Sequence, residues 1–147
     1  MNAQTQREER SILVIEDDAT LNKLLCAQLR ASGYSPVSAR RWSEAQTLLA
    51  TLEPALALLD IRLPDANGLD RVPELSEVCP VIVLTAHASI DQAVTAIKHG
   101  AADYLTKPVS PSELDLIIQR TLAARSMRRD YEYFRRQANS TVGKEIV

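Results

Sequence analysis

The sequence predicts an α/β domain, a doubly wound five-stranded parallel sheet with helices on both faces. Three observations predict it. Short apolar or β-branched runs end abruptly in polar residues, segments of helical periodicity lie between them, and Gly, Pro and capping patterns separate the two. Strands buried on both faces read as continuous apolar runs, and regular strand–helix alternation calls for parallel pairing.

Taken in order, Met1 to Arg10 lacks apolar periodicity and reads as a disordered lead-in. Ser11 to Ile15 is the first strand, closed by Glu16-Asp17-Asp18. Leu21, Leu24, Leu25, Ala27 and Leu29 recur at helical spacing, with Asp18 as the cap and Gly33 as the stop. Tyr34 to Ser38 is a weak strand whose proline places it at an edge. Ser43-Glu44-Ala45-Gln46 has the capping-box pattern for a second helix running to Glu53, where Pro54 ends it. Trp42, the only tryptophan, reads as a packing residue before that helix.

Leu56-Ala57-Leu58-Leu59-Asp60 is the third strand, an apolar run ending in one carboxylate. A loop to Gly68 and a shorter helix toward Glu77 come next. Pro80 to Leu84 is the fourth strand, ending in Thr85-Ala86-His87. Ser89 to Gln92 is a second capping box, and Gly100 ends the helix it opens, with His99 as a helix-end cation. Asp103 to Thr106 is the fifth strand, leading to Lys107-Pro108. Ser110-Pro111-Ser112-Glu113 caps the last helix, with proline at the preferred first position. Nothing breaks that helix between Ser112 and Gln137.

Composition narrows the function. The chain of 147 residues is 46% hydrophobic and 24% charged, ordinary for a globular domain, and its net charge of −2 does not point to nucleic acid or an anionic membrane. Cys26 and Cys79 lack metal-ligand spacing and read as small buried residues in a reducing compartment. No apolar stretch approaches a membrane span and no secretory leader is evident, so a cytoplasmic location is expected.

The chemistry lies in the residues just beyond the strand ends. Glu16, Asp17 and Asp18 come after the first strand, Asp60 ends the third, Thr85 comes after the fourth and Lys107 after the fifth. In a parallel sheet all project at one edge. Clustered carboxylates repel, and a divalent cation or a proton relieves that repulsion. Oxygen-only ligands favour Mg²⁺. Phosphoryl transfer needs mainly charge neutralisation and positioning, and an aspartate can form an acyl phosphate. The residues therefore suggest a Mg²⁺-dependent phosphoryl-accepting site.

These motifs, from about Ser11 to about Ala124, resemble the receiver domain of two-component response regulators. They are the acidic pair, the Asp-x-x-x-Pro-x-x-x-Gly loop (Asp60, Pro64, Gly68), Thr85-Ala86 and Lys107-Pro108. The resemblance implies a flavodoxin-like fold in which Asp60 accepts the phosphoryl group from a sensor histidine kinase. It also implies that Asp17 ligates Mg²⁺ directly, that Glu16 acts largely through metal-bound water, and that the carbonyl of Arg62 completes the shell. Lys107 would pair with the acyl phosphate, Thr85 would move to bond it, and Tyr104 would change rotamer with it. Arg62 and His87 occupy positions that tune the phosphoryl group's lifetime. Glu16 departs from the family's commonest aspartate by one methylene.

Thr85 to Ile90 and Ala102 to Pro108 further resemble receivers of the nitrogen-regulator (NtrC) type, which precede an AAA+ ATPase acting on the sigma-54 form of RNA polymerase. Arg125, Arg128, Arg129, Arg135 and Arg136, interleaved with Met127, Tyr131 and Phe134, read either as a solvated basic helix end or as a signalling helix that pairs with a second protomer. The organisation expected is a lead-in over 1–10, a receiver over 11–124, a helical linker over 125–137, and a flexible tail or the start of an output module over 138–147. The dimer would use the last helix and the face of the fourth helix, fifth strand and fifth helix, with no direct nucleic-acid contact. A stand-alone receiver serving a phosphorelay or binding a protein is the alternative. An aspartate-nucleophile phosphatase usually carries a second aspartate two residues after its nucleophile, and here that residue is Arg62.

Overall fold

The computed structural model describes residues 10–86 and 90–146. Its main sheet has strands β1 (Ser11–Ile15), β2 (Ser35–Ala39), β3 (Leu56–Asp60), β6 (Val81–Thr85) and β7 (Asp103–Thr106), all parallel, in the order β2-β1-β3-β6-β7. The helices are α1 (Ala19–Ala31), α2 (Trp42–Leu49), α3 (Gly68–Ser76), α4 (Ile90–Lys98) and α5 (Pro111–Ile146). A small antiparallel hairpin, β4 (Arg62–Leu63) and β5 (Ala66–Asn67), lies in the loop after β3. The sequence pattern does not reveal it, because two-residue strands carry no periodicity.

Period-two alternation along the buried strands divides the core into two layers. Leu13, Ile15, Ala57, Leu59, Val81 and Val83 face Trp42 and Ala45 of α2, Val72 and Leu75 of α3 and Ala96 of α4. Ile12, Val14, Leu56, Leu58, Ile82 and Leu84 face Leu25 and Leu29 of α1 and Leu114, Ile117 and Ile118 of α5. This is the doubly wound arrangement expected. β2 is an edge strand, which tolerates Pro36. Gly33 takes φ +91° just beyond α1, a conformation that other residues rarely adopt. Cys26 and Cys79 are buried free thiols, and burial pushes Cys79 up to about 12. Among the described residues no helix is long and apolar enough to cross a membrane.

Three local expectations are corrected. α2 begins at Trp42 rather than being capped by Ser43, and it stops at Leu49 rather than Glu53. Glu53 precedes a proline, which disfavours helical backbone there, and the last turn closes through Leu52 N–H to the Leu48 carbonyl at 2.8 Å. α5 runs through Ile146, so 138–146 continues the helix expected to end near Gln137. No proline interrupts it, and one interior glycine costs only about 1 kcal/mol. His99 does more than end α4. Pro73 inside α3 has no N–H for the carbonyl of Leu69 one turn back, and His99 Nδ1 donates to that oxygen at 2.8 Å.

The proline and the histidine should therefore be coupled. His99→Ala is expected to lower the urea-unfolding free energy by about 1–2 kcal/mol through an unsatisfied carbonyl. The same change in a Pro73→Ala background should cost markedly less, because residue 73 then supplies the N–H itself. Equal costs in the two backgrounds would dismiss the coupling.

Candidate functional site

Register fixes the site. Ile15 lies opposite Leu59, so Glu16 comes level with Asp60. Asp60 lies opposite Leu84, so Thr85 stands one step further, and Thr85 lies opposite Thr106, the residue before Lys107. β1 connects outward to β2 on one side while β3 lies on the other. The crevice beyond their carboxyl ends is thus the topological switch point, where α/β sheets hold their ligands.

Three of the expected residues meet directly. Lys107 Nζ lies 2.7 Å from Glu16 Oε1 and 3.3 Å from Asp60 Oδ1. Glu16 is 0% exposed, Asp60 6% and Thr85 2%. The Arg62 N–H donates to Asp60 Oδ1 at 3.3 Å, and the Lys107 N–H donates to the Thr85 carbonyl at 2.7 Å. The Lys107–Pro108 bond is cis. A small cavity of about 70 Å³, room for a few waters, is lined by Asp60, Ile61, Arg62, Ala86, Gln92 and Lys107.

The other expected residues are less closely gathered. Asp17 is exposed, and its carbonyl rather than its carboxylate is engaged, accepting from Arg40 Nε at 3.2 Å and Nη2 at 3.0 Å. Asp18 caps α1, accepting from the Leu21 N–H at 2.9 Å. Tyr104 lies opposite Val83 on β7 and is 41% exposed. Arg62 is exposed at the start of the hairpin. His87 lies outside the described residues. Sequence reasoning missed Gln92, whose only signal is its place in the first turn of α4, and also Arg40, Asp65 and Asn22. Asn22 Nδ2 donates to the Glu16 carbonyl at 3.0 Å and the Ala39 carbonyl at 3.3 Å, which ties the acidic loop to β2.

The electrostatics arise from burial. Desolvation pushes the Glu16 carboxyl up to about 8, the nearby Asp60 carboxylate adds to this, and Lys107 opposes it. Burial works against the Lys107 ammonium, but Glu16 and Asp60 outweigh it and hold its pKa above the ordinary value. Glu16 Oε2 is buried and receives no hydrogen bond. Among the described residues no three His, Cys, Asp or Glu side chains form a ready-made metal cage. Mg²⁺ does not need one, since it keeps several waters and takes one or two carboxylates. The orphan Glu16 oxygen, the adjacent Asp60 and the exposed Asp17 fit that mode.

Gly68 explains the last position of the loop motif. A Cβ there would overlap the Asp60 carbonyl oxygen and lie 2.9 Å from the Ile61 Cα, both backbone atoms with little freedom to yield. Its N–H donates to the Ile61 carbonyl at 2.6 Å. Only glycine lets α3 start so close to the carboxylate-bearing strand.

Fold and site define a class, the flavodoxin-like α/β proteins with their chemistry in the carboxyl-edge loops. Residues 12–119 match the family model of the response regulator receiver domain, and the chain belongs to that family. It is 37% identical over 130 residues to the alginate biosynthesis transcriptional regulatory protein AlgB of Pseudomonas syringae pv. tomato, covering 86% of this chain and 29% of that protein. It is 34% identical to the regulatory protein AtoC of Escherichia coli K12, covering 88% of this chain and 29% of that protein. The solution structure of the beryllofluoride-activated NtrC4 receiver domain dimer superposes with a TM-score of 0.74 at 33% identity, covering 78% of this chain and 98% of that one. The chain thus spans about three tenths of the length of the curated relatives it matches first. Its kinship with NtrC-type regulators agrees with the local wording around Thr85 and Lys107.

Two outcomes are expected. With Mg²⁺ chelated, the folded wild type keeps on Glu16 a proton that the unfolded chain releases near pH 4.5, so stability falls as pH rises from there through about 8. In Glu16→Gln that decline should flatten, as read by urea-unfolding free energies at about pH 5 and about pH 9. Gly68→Ala is expected to destabilise by about 1–3 kcal/mol through overpacking against backbone, measured the same way.

Proposed function

We propose that this receiver is switched by phosphorylation of Asp60 and passes the change to a protein–protein surface that controls transcription through an output module. The observation that carries it is the trio Glu16, Asp60 and Lys107, in which both carboxyl groups are buried and Lys107 Nζ lies within 3.3 Å of each. A carboxylate oxygen of Asp60 attacks the phosphorus of a histidine kinase's phosphohistidine, the P–O bond forms and the P–N bond breaks. Receivers of this family partner with histidine kinases. Glu16, Asp17 and Asp60, with the Arg62 carbonyl, would hold Mg²⁺, which when bound supplies positive charge to the transferring group. Lys107 neutralises the charge that develops on the phosphoryl oxygens. The Thr85 hydroxyl, one register step beyond Asp60, bonds the product, and Tyr104 moves with it. Arg62 and His87 tune how long the phosphoryl group survives.

A gain of roughly −1.5 to −2 charge units at Asp60 biases a two-state surface. The face of α4, β7 and α5 supports that reading, because Ile90, Val94, Ile97, Tyr104 and Leu116 are all exposed there. α5 continues the pattern with exposed Met127, Tyr131 and Phe134 at helical spacing. Such a face suits a second copy of the chain, and the stem beyond it suits a link to an ATPase module of the sigma-54 type.

The test uses a small acyl phosphate as donor. The wild type should gain the mass of one phosphoryl group only with Mg²⁺ present, and Asp60→Asn should gain none. Normal labelling of Asp60→Asn would remove Asp60 as the acceptor.

A further inference from the structure

We propose that the junction between β2 and α2 is a bracket that positions both loops of the acceptor site, with Arg40 and Asp65 as its positioning residues. The proposal rests on the reading of Asp60 and its neighbours as a Mg²⁺-dependent acceptor site.

The bracket starts from a helix without a cap of its own. Arg41 precedes α2 in extended backbone (φ −151°, ψ 164°) and offers no side-chain hydrogen bond to the first turn. Two orphan N–H groups there are satisfied from another part of the chain. Asp65, at the tip of the β4–β5 hairpin, accepts from the Trp42 N–H through Oδ1 at 2.8 Å and from the Ser43 N–H through Oδ2 at 2.9 Å. Both carboxylate oxygens are committed, and these bonds hold the Asp65 carboxyl below its ordinary pKa. A negative charge at a helix N-terminus suits the helix dipole as well.

Arg40 completes the other arm. Its guanidinium donates twice to the Asp17 carbonyl, and its own N–H is fixed by Glu44 Oε2 at 3.0 Å. Within four consecutive residues, Arg40 therefore grips the acidic loop on one side while Trp42 and Ser43 grip the acceptor loop on the other. The grip on the acceptor loop lies three residues from Arg62, whose N–H touches Asp60 and whose carbonyl is an expected ligand. The hairpin between them, with Arg62 opposite Asn67, is short enough to transmit position. Arg40 and Asp65 touch no reacting atom, so they act by placing the atoms that do. Trp42 sits at the centre of the junction, buried, with the Arg71 guanidinium 5.7 Å from its ring.

A cap that merely stabilised α2 would change folding and nothing else, so the two roles separate experimentally. Mg²⁺ affinity is measured calorimetrically on the full chain, at a temperature where circular dichroism shows each variant folded. Asp65→Ala and Arg40→Ala are each expected to weaken Mg²⁺ binding roughly tenfold, the scale of lost outer-sphere support. Asp65→Asn, which keeps one acceptor oxygen, should fall between and serves if Asp65→Ala does not fold. Ile117→Val, which loosens the core against α5, should leave the affinity unchanged. Wild-type affinity in folded Asp65→Ala or Asp65→Asn and in Arg40→Ala, with lowered unfolding midpoints, would overturn the bracket and leave the acceptor reading intact. Absence of Mg²⁺ binding by the wild type would instead overturn that reading, and the bracket with it.

Discussion

Two buried carboxyl groups and one partly exposed ammonium meet at the edge of the sheet, with Lys107 Nζ 2.7 Å from Glu16 and 3.3 Å from Asp60. Taking ions out of water is expensive, and their mutual attraction offsets the penalty only where geometry is held closely. The surrounding structure supplies that geometry. β1, β3, β6 and β7 are paired in register, so a shift of one strand would separate the trio. The uncharged layers behind them, from Ile15, Leu59 and Val83 on one face to Val14, Leu58 and Leu84 on the other, pack against helices on both sides of the sheet and hold the strand ends in place. Gly68 belongs to the same constraint, since any side chain there would push α3 away from Asp60.

Much of this is legible in the sequence because it is local or periodic. Strand ends are marked where apolar runs stop at Glu16, Asp60, Thr85 and Lys107, and parallel pairing then brings these ends to one edge. What escapes is whatever depends on long-range partners. Nothing in the chain around Asp65 announces that it caps a helix 23 positions earlier, and the capping-box pattern at Ser43 suggests a self-sufficient helix instead. His99 has the same character. Its bond to Leu69 answers a vacancy made by Pro73, and only the packing of α3 against α4 brings the two together. The end of α5 escapes for a different reason, because propensity alone sets no sharp stop where neither proline nor packing does.

The domain thus separates its duties by direction. The carboxyl edge holds the charged trio, while α5 binds the domain through Leu114, Ile117 and Ile118 before leaving it. Arg125 marks the departure, donating to the Ala55 carbonyl at 2.7 Å at the base of β3. From Ser126 to Ala138 every side chain is exposed, so the helix there is held by its own hydrogen bonds and by whatever it meets. Exposed Met127, Tyr131 and Phe134 are an apolar stripe that gains by being covered.

Glu16 shows how the site can respond to new charge. An aspartate at this position would be one methylene shorter; the glutamate present reaches Lys107 Nζ with Oε1 at 2.7 Å, against 3.3 Å for Asp60 Oδ1. Lys107 is therefore shared unequally, with the glutamate as its nearer partner. Burial meanwhile favours a proton on Glu16 up to about pH 8, and its Oε2 is left without a donor. A group carrying more charge on Asp60 would compete for the same ammonium, since attraction grows with charge at these distances. As the lysine's bond shifted toward Asp60, a Glu16 already holding its proton would be left with no bare charge, whereas an ionised Glu16 would need a proton or a cation in exchange. The substitution thus couples the position of Lys107 to the charge on Asp60 through a carboxyl group that can take up either.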